Sequence, residues 1–433
     1  MRLKKKDILI LIVIFIYTGI LITYSNADND LIWNYGFSYN FANHLLMYKD
    51  YNMVITPLYP FLGGLLMRIL GTNFLIFNLY NTILSTMLYY YLYKKCPHTF
   101  IPSIILISFI LRPSYNFLVL FLVLILLNIK EEKDFFIGLI LGLLFMTKQS
   151  FILLILPSIY LITKPQRLFK RVGAFLLSCL FFLSYFLLTN TFLDFLNYTF
   201  LGLFSFSSKN SFFNLGTIFI LSILIFLIIY YLKTKDIKVL YLITYQIMAY
   251  PIFNTMHIIL SIIPVIIYFL DKLVKKQNYN LNYLRYFNYF ASILLICPLL
   301  SIPLQYFNKD LVEGENALEY KDISRSYLVN KDLFLKEIPN LNNAYFLMYD
   351  AYIYKYLLNA PITSYDLLLN GNLGYKGEER VIDYFNSLDS NTYFVLNKTY
   401  TGGQLSKNID AYIRNNYLKV KDFQEFTLYK KSL

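Results

Sequence analysis

Three aspartates, Asp28, Asp30 and Asp50, fall in one stretch, residues 26–60, the most polar segment in the first three hundred residues of the chain. The same stretch carries the single tryptophan, Trp33, a histidine, His44, and a Pro57-Leu58-Tyr59-Pro60 corner. A carboxylate beside a long apolar run is costly unless it is solvated or used. Its readiest use is as a base that takes the proton of an attacking hydroxyl, and Asp28 or Asp30 can supply it. Few other ionisable residues stand at the outer ends of apolar runs: Arg112, Lys148 beside Gln149, Asp194, Lys209 and His257. Arg112 and Lys148 have the charge to hold an anionic headgroup there. Each of these residues also has a plainer reading. The aspartates can be solvated loop residues, Arg112-Pro113 a hairpin break, Lys148 a snorkelling side chain and His257 a cap or packing residue.

The elements that must position these groups follow from composition. Of 433 residues, 57% are hydrophobic and 15% charged, where a soluble chain carries about a quarter charged residues. The apolar residues run in stretches long enough to cross a bilayer, so the fold class expected is mainly α: a polytopic α-helical membrane protein. The net charge of +13 is gathered in short basic clusters between apolar runs, at Arg2–Lys6, Lys94-Lys95, Lys164–Arg171, Lys233–Lys238 and Lys272–Lys276. That is the signature of cytoplasmic loops, and it argues against a nucleic-acid partner. Cys96, Cys179 and Cys297 show no pairing or zinc-binding spacing.

With the N-terminus inside and the first span, 7–24, read as an uncleaved signal anchor, Asp28 emerges on the outer face. The apolar stretch 57–70 reaches only about 21 Å as a helix against a core of about 30 Å, so it is expected to lie at the outer surface. Spans at 74–93, 101–111, 115–129, 135–147, 150–163, 172–189, 216–232, 237–250, 256–271 and 286–304 then bring the total to about eleven. Every strong basic cluster falls inside under this arrangement. Residues 1–306 are thus expected as a transmembrane domain, with a first outer loop at 25–56. Residues 307–433 are expected as a small extracytoplasmic α/β domain, with strands at 344–348, 392–396 and 426–430 and helices at 351–358, 378–388 and 407–416.

A first span, an outer acidic loop, then Tyr48-Lys49-Asp50-Tyr51-Asn52 and Pro57-Leu58-Tyr59-Pro60 before a short helix ending at Gly71: this layout resembles the GT-C class of glycosyltransferases. Met146-Thr147-Lys148-Gln149, the outer segment Asn197–Gly202 and a soluble C-terminal domain are similar to its bacterial members, among the protein mannosyltransferase and aminoarabinose transferase groups. The resemblance implies a plasma-membrane enzyme that moves a sugar, with inversion, from a polyprenyl-phosphate-linked donor to an envelope glycan, lipid or protein acceptor on the outer face. It implies that an aspartate of the first outer loop, Asp28 or Asp30, acts as base, and that Arg112 and Lys148 bind the donor phosphate. Gln149, Asp50, Tyr48 and His257 are the accompanying substrate-binding candidates. The class more usually carries an Asp-Glu pair where this chain has Asp28-Asn29-Asp30. That departure leaves the choice of base open, together with a role for a divalent metal; no cofactor and no metal-ligand set is assigned.

Two other readings share the layout. A surface-polysaccharide polymerase would be expected to carry a large arginine-rich central outer loop, and residues 190–215 contain no arginine. A flippase or transporter of lipid-linked sugars would place its polar groups at mid-membrane.

Overall fold

The computed structural model describes residues 4–24, 29–97, 99–110, 114–160, 164–202, 215–249, 255–276, 293, 295, 299, 309–313, 316–319, 321–363, 365–366, 368, 372–400 and 406–431. Asp28, Arg112 and nearly all of the span expected at 286–304 lie outside them. The chain is mainly helical, with a small sheet region towards its C-terminus. In order, the helices are α1 (Lys5–Thr23), α2 (Asn29–Ala42), α3 (Leu58–Leu70), α4 (Phe74–Lys95), α5 (Phe100–Ile110), α6 (Tyr115–Asn128) and α7 (Asp134–Thr147). A 3₁₀ turn, Gln149–Leu154, leads to α8 (Ile155–Tyr160), α9 (Pro165–Leu188) and α10 (Phe192–Leu196). After these come α11 (Leu215–Thr234), α12 (Ile237–Tyr245) and α13 (Thr255–Lys276). The C-terminal part adds α14 (Arg325–Glu337), α15 (Ala351–Leu357), α16 (Gly377–Ser387) and α17 (Lys407–Asn416).

Among the described residues, four helices are long and apolar enough to cross a bilayer: Lys5–Thr23, Pro165–Leu188, Leu215–Thr234 and Met256–Lys275. The other expected spans depart from that standard for two reasons. α4 has the length, at 22 residues, but Asn78, Asn81, Thr82, Ser85 and Thr86 dilute its apolarity, and all five are buried. α5, α6 and α7 have 11, 14 and 14 residues, short of the roughly 17–25 that a crossing takes. The stretch 150–163 is broken into a 3₁₀ turn and α8, and 237–250 into α12 and a 3₁₀ turn at Gln246–Ala249.

The chain forms two compact units. The first comprises Met1–Ser25, Asn78–Ser184 and Asn210–Gln305. Polar contacts fix its helices where apolar side chains alone would let them slide. The Thr18 and Thr86 hydroxyls lie 3.2 Å apart between α1 and α4, and Lys94 Nζ reaches Asp7 at 2.7 Å. Helices α7 and α9 meet more closely. A Cβ on Gly138 would lie 2.0 Å from the Arg171 carbonyl oxygen, and one on Gly142 would lie 1.9 Å from Ser178 Oγ. Small residues four apart let two helix backbones touch in this way. At the end of the same contact, buried Arg171 donates to Asp134 at 2.6 Å and to the Ser158 carbonyl at 2.6 Å, while Arg167 reaches Asp134 at 2.8 Å. Two cations of the 164–171 cluster therefore hold helices together, a role that the charge pattern does not reveal.

The second unit comprises Asn26–Phe77, Tyr185–Lys209 and Tyr306–Leu433. The first of these stretches carries a correction: residues Asn29–Ala42 of the polar stretch expected as a loop form the 14-residue helix α2. α3 packs against it. Arg68, in the last turn of α3, donates to the Phe41 carbonyl at 3.2 and 2.7 Å and covers the Phe41 ring at 4.0 Å. It thereby satisfies a carbonyl at the C-terminal, electronegative end of α2. A bond to a charged donor contributes about 1.5–3 kcal/mol. Arg68→Ala is expected to destabilise this unit by about that amount, read as a lowered midpoint in thermal melts of the purified chain; an unchanged midpoint would remove Arg68 from the account.

The sheet of this unit has the order β3-β4-β6-β5, built from β3 (Ala344–Phe346), β4 (Tyr393–Asn397), β5 (Leu418–Phe423) and β6 (Phe426–Lys430). β3 and β4 are parallel, and the other two pairs antiparallel. Alternate residues serve two cores. Tyr345 and Phe394 pack with Val381 and Phe385 of α16 and Ile409 and Ile413 of α17. Phe346 and Val395 pack with Phe334 of α14 and with Ala351 and Tyr354 of α15. The sheet is therefore covered on both faces. A separate two-stranded ribbon, β1 (Lys309–Val312) paired antiparallel with β2 (Lys321–Ser324), precedes it. Inside the domain Lys355 and Asp366 form an ion pair of 3.4 Å with both side chains fully buried. Burial pushes the Asp366 carboxyl above its usual range, against the pull of Lys355.

Candidate functional site

The first unit contains one candidate constellation, built around Lys148. Helix α7 ends at Thr147, and Lys148 takes an extended conformation (φ −154°, ψ 119°) before the 3₁₀ turn. This break turns the side chain away from the helix axis. Its Nζ lies 3.5 Å from Met248 Sδ and 5.7 Å from the centroid of the Tyr115 ring. A thioether is a weak acceptor, and a ring face attracts a cation without neutralising it. Among the described residues Lys148 has no carboxylate partner. Gln149, next in sequence, is buried. His257, in the first turn of α13, lies close enough for the charge of Lys148 to act on its imidazole. Lys148, Gln149 and His257, chosen from the sequence as substrate-binding candidates, thus occupy the same unit.

The same unit holds several residues of note that the sequence does not signal. Met248 sits in the 3₁₀ turn after α12, and Tyr115 begins α6. Gln246 donates through Nε2 to the carbonyls of Leu242 and Ser261, both at 3.2 Å, while its Oε1 finds no acceptor role among the described residues. Tyr245 is fully buried, its ring 5.5 Å from that of Phe151, and its hydroxyl is likewise unmet. A Tyr-Gln pair within an apolar run reads as ordinary helix, so nothing in its spacing gives it away.

The second unit carries the remaining candidates. Asp30 lies in the first turn of α2 and is exposed, a position where the positive end of the helix favours a carboxylate. Asp50 closes a turn: its Oδ2 accepts from the Leu46 amide at 2.7 Å. Tyr48 is fully buried, its hydroxyl donating to the Ile55 carbonyl at 2.8 Å and its ring 5.3 Å from each of Phe186 and Phe195. Both residues shape the segment that follows α2, whatever else they do. Asp194 on α10 is half-buried; burial pushes its carboxyl up, opposed by the charges of Arg380 and Lys49. Arg380 also donates to the Tyr198 hydroxyl at 2.7 Å, and the Tyr375 amide donates to Asn197 Oδ1 at 2.8 Å. These bonds fix the 192–202 segment to the C-terminal domain.

Among the described residues no group of three His, Cys, Asp or Glu side chains is placed to hold a metal ion. Comparison of the chain with models of protein families, with curated proteins and with solved structures finds no match.

Proposed function

We propose that this protein is a membrane glycosyltransferase of GT-C type. In this reading it spans the plasma membrane about eleven times, with its N-terminus in the cytoplasm and its C-terminal domain outside. It transfers a sugar from a polyprenyl-phosphate-linked donor to an envelope glycan, lipid or protein. The observation that carries the reading is Lys148. A lysine that merely snorkels extends its ammonium to water; this one rests against a thioether and an aromatic ring, with no carboxylate among the described residues. A cation left without a counter-charge in apolar surroundings is suited to an anion that arrives with a substrate. Gln149, next to it in sequence, and His257, within reach of its charge, add polar groups.

In the reaction proposed, the acceptor oxygen attacks the anomeric carbon from the side opposite the phosphate. The C–O bond to phosphate breaks, and its electron pair leaves with the polyprenyl phosphate. Lys148, with Arg112, stabilises that developing charge. Asp28 or Asp30 takes the acceptor proton, and the exposure of Asp30 suits a base that meets an acceptor from the aqueous side. The grouping of 26–77, 185–209 and 306–433 in one unit supports placing those stretches on one side of the membrane.

The test is mass spectrometry of lipid-linked and envelope sugars in a deletion strain and in strains carrying Asp28→Asn, Asp30→Asn and both. The expected result is loss of one decoration in the deletion and the double variant, with accumulation of its polyprenyl-phosphate donor. Retention of the decoration by the double variant, when the deletion loses it, would remove the acidic segment from the chemistry.

A further inference from the structure

The first unit holds a second polar site, lined by none of the residues assigned above. A cavity of about 260 Å³ opens among the ends of α6, α12 and α13 and the residue after α4. It is lined by Asn128, Asp236, Lys238, Asp271, Lys272 and Lys275, together with apolar residues. Sites for drug-sized ligands run to about 300–1,000 Å³, so this one suits a smaller group.

Its charges are unevenly paired. Lys272 binds Asp236 at 2.9 Å, and Tyr268 also donates to that carboxylate. Lys275 binds Asp271 Oδ2 at 2.5 Å. Two groups remain. Lys238 is half-buried and, among the described residues, its ammonium has no ion-pair partner; Glu131 feels its charge without bonding to it. Asp271 Oδ1 is buried and unmet among the described residues. The cavity therefore offers one spare cation and one spare acceptor, between pairs that fix its walls.

We propose that this cavity binds a polyol phosphate, with Lys238 on the phosphate and Asp271 Oδ1 accepting from a hydroxyl. The same chemistry is presented by the headgroup of a glycerol-bearing anionic lipid and by a soluble sugar or glycerol phosphate. Lys238, Lys272 and Lys275 in its lining supply the kind of basic cluster that anionic headgroups seek. The site is independent of the transferase reading and stands or falls separately from it.

The test uses the full chain in nanodiscs of phosphatidylcholine with and without phosphatidylglycerol, and in detergent with sn-glycerol 3-phosphate. Retained lipid is read by native mass spectrometry and soluble binding by calorimetry, for the native chain, Lys238→Gln and Asp271→Leu. Only variants that melt as the native chain does are compared, and either one suffices. Retention of phosphatidylglycerol that weakens about tenfold or more in a variant, a loss of about 1.4 kcal/mol or more, supports the site with a lipid source. Binding of sn-glycerol 3-phosphate that weakens likewise, with no preference between nanodiscs, supports it with a soluble source. Equal binding by native chain and variants, or binding of neither probe, overturns it.

Discussion

Gly138→Leu is expected to leave almost no folded protein. The Cβ alone would stand 2.0 Å from the backbone oxygen of Arg171 and 2.9 Å from its carbonyl carbon. Overpacking usually costs about 1–3 kcal/mol because side chains can shift aside, but a helix backbone cannot. Helices α7 and α9 would have to separate, and with them the bond from Arg171 to Asp134. Breaking a buried ion pair costs a further ~3–5 kcal/mol, out of a total stability of about 5–15 kcal/mol for a folded chain. Gly142→Leu meets the same obstacle at Ser178 Oγ and the Phe175 carbonyl, 1.9 and 2.7 Å away. Gly173, on α9 itself, is the control: a Cβ there meets nothing within 4 Å. Gly173→Ala is expected to be neutral or stabilising by about 0.5–1 kcal/mol, because alanine costs the helix less backbone entropy. Detergent-solubilised chains compared by size exclusion and thermal melting decide the matter. Native-like elution and melting of Gly138→Leu would mean that α7 and α9 are not in backbone contact.

What the sequence reveals depends on which physical force leaves a periodic mark. The short helix expected at 57–70 is readable from its apolar run between Pro57 and Gly71, and Leu58–Leu70 matches it closely. Strands β3, β4 and β6 are readable because aromatic and β-branched runs bury both faces. β5 escapes because Leu418, Lys419, Val420, Lys421 and Asp422 are exposed, and an edge strand guarded by lysines resembles a charged loop. α2 escapes because its polar residues imitate a loop: Asn34, Ser38 and Asn40 are buried in it, against the usual rule that helix interiors face apolar side chains. Its tertiary setting, with Tyr35 donating to the Thr72 carbonyl at 2.7 Å, is invisible in the local pattern. At the candidate site, Lys148 and His257 are legible as ionisable residues in apolar surroundings. Met248 is not, since nothing marks a methionine until the fold brings it to a cation.

Lys148→Met is expected to separate stability from function. The substitution keeps an unbranched side chain, one atom shorter, and removes an ammonium that has no carboxylate partner among the described residues. A half-buried charge without a partner carboxylate adds nothing to folding by pairing, so its removal is expected to leave the melting midpoint unchanged or raised. Sugar transfer is expected to fall by about 10²–10³-fold, the range seen when one preorganised donor to a developing negative charge is lost. Lys148→Arg keeps the charge but spreads it over a planar fork in a place shaped for a compact ammonium against Met248 and Tyr115, so partial activity is expected. The measurement is initial rate per folded enzyme with the polyprenyl-phosphate donor identified in the envelope analysis, alongside melts of the same preparations. Stability and activity moving in opposite directions is the signature of a site that holds a charge in readiness for a substrate. If Lys148→Met melts lower and transfers normally, the lysine belongs to the packing of α6 and the Gln246–Ala249 turn, and the donor phosphate must find its counter-charge elsewhere.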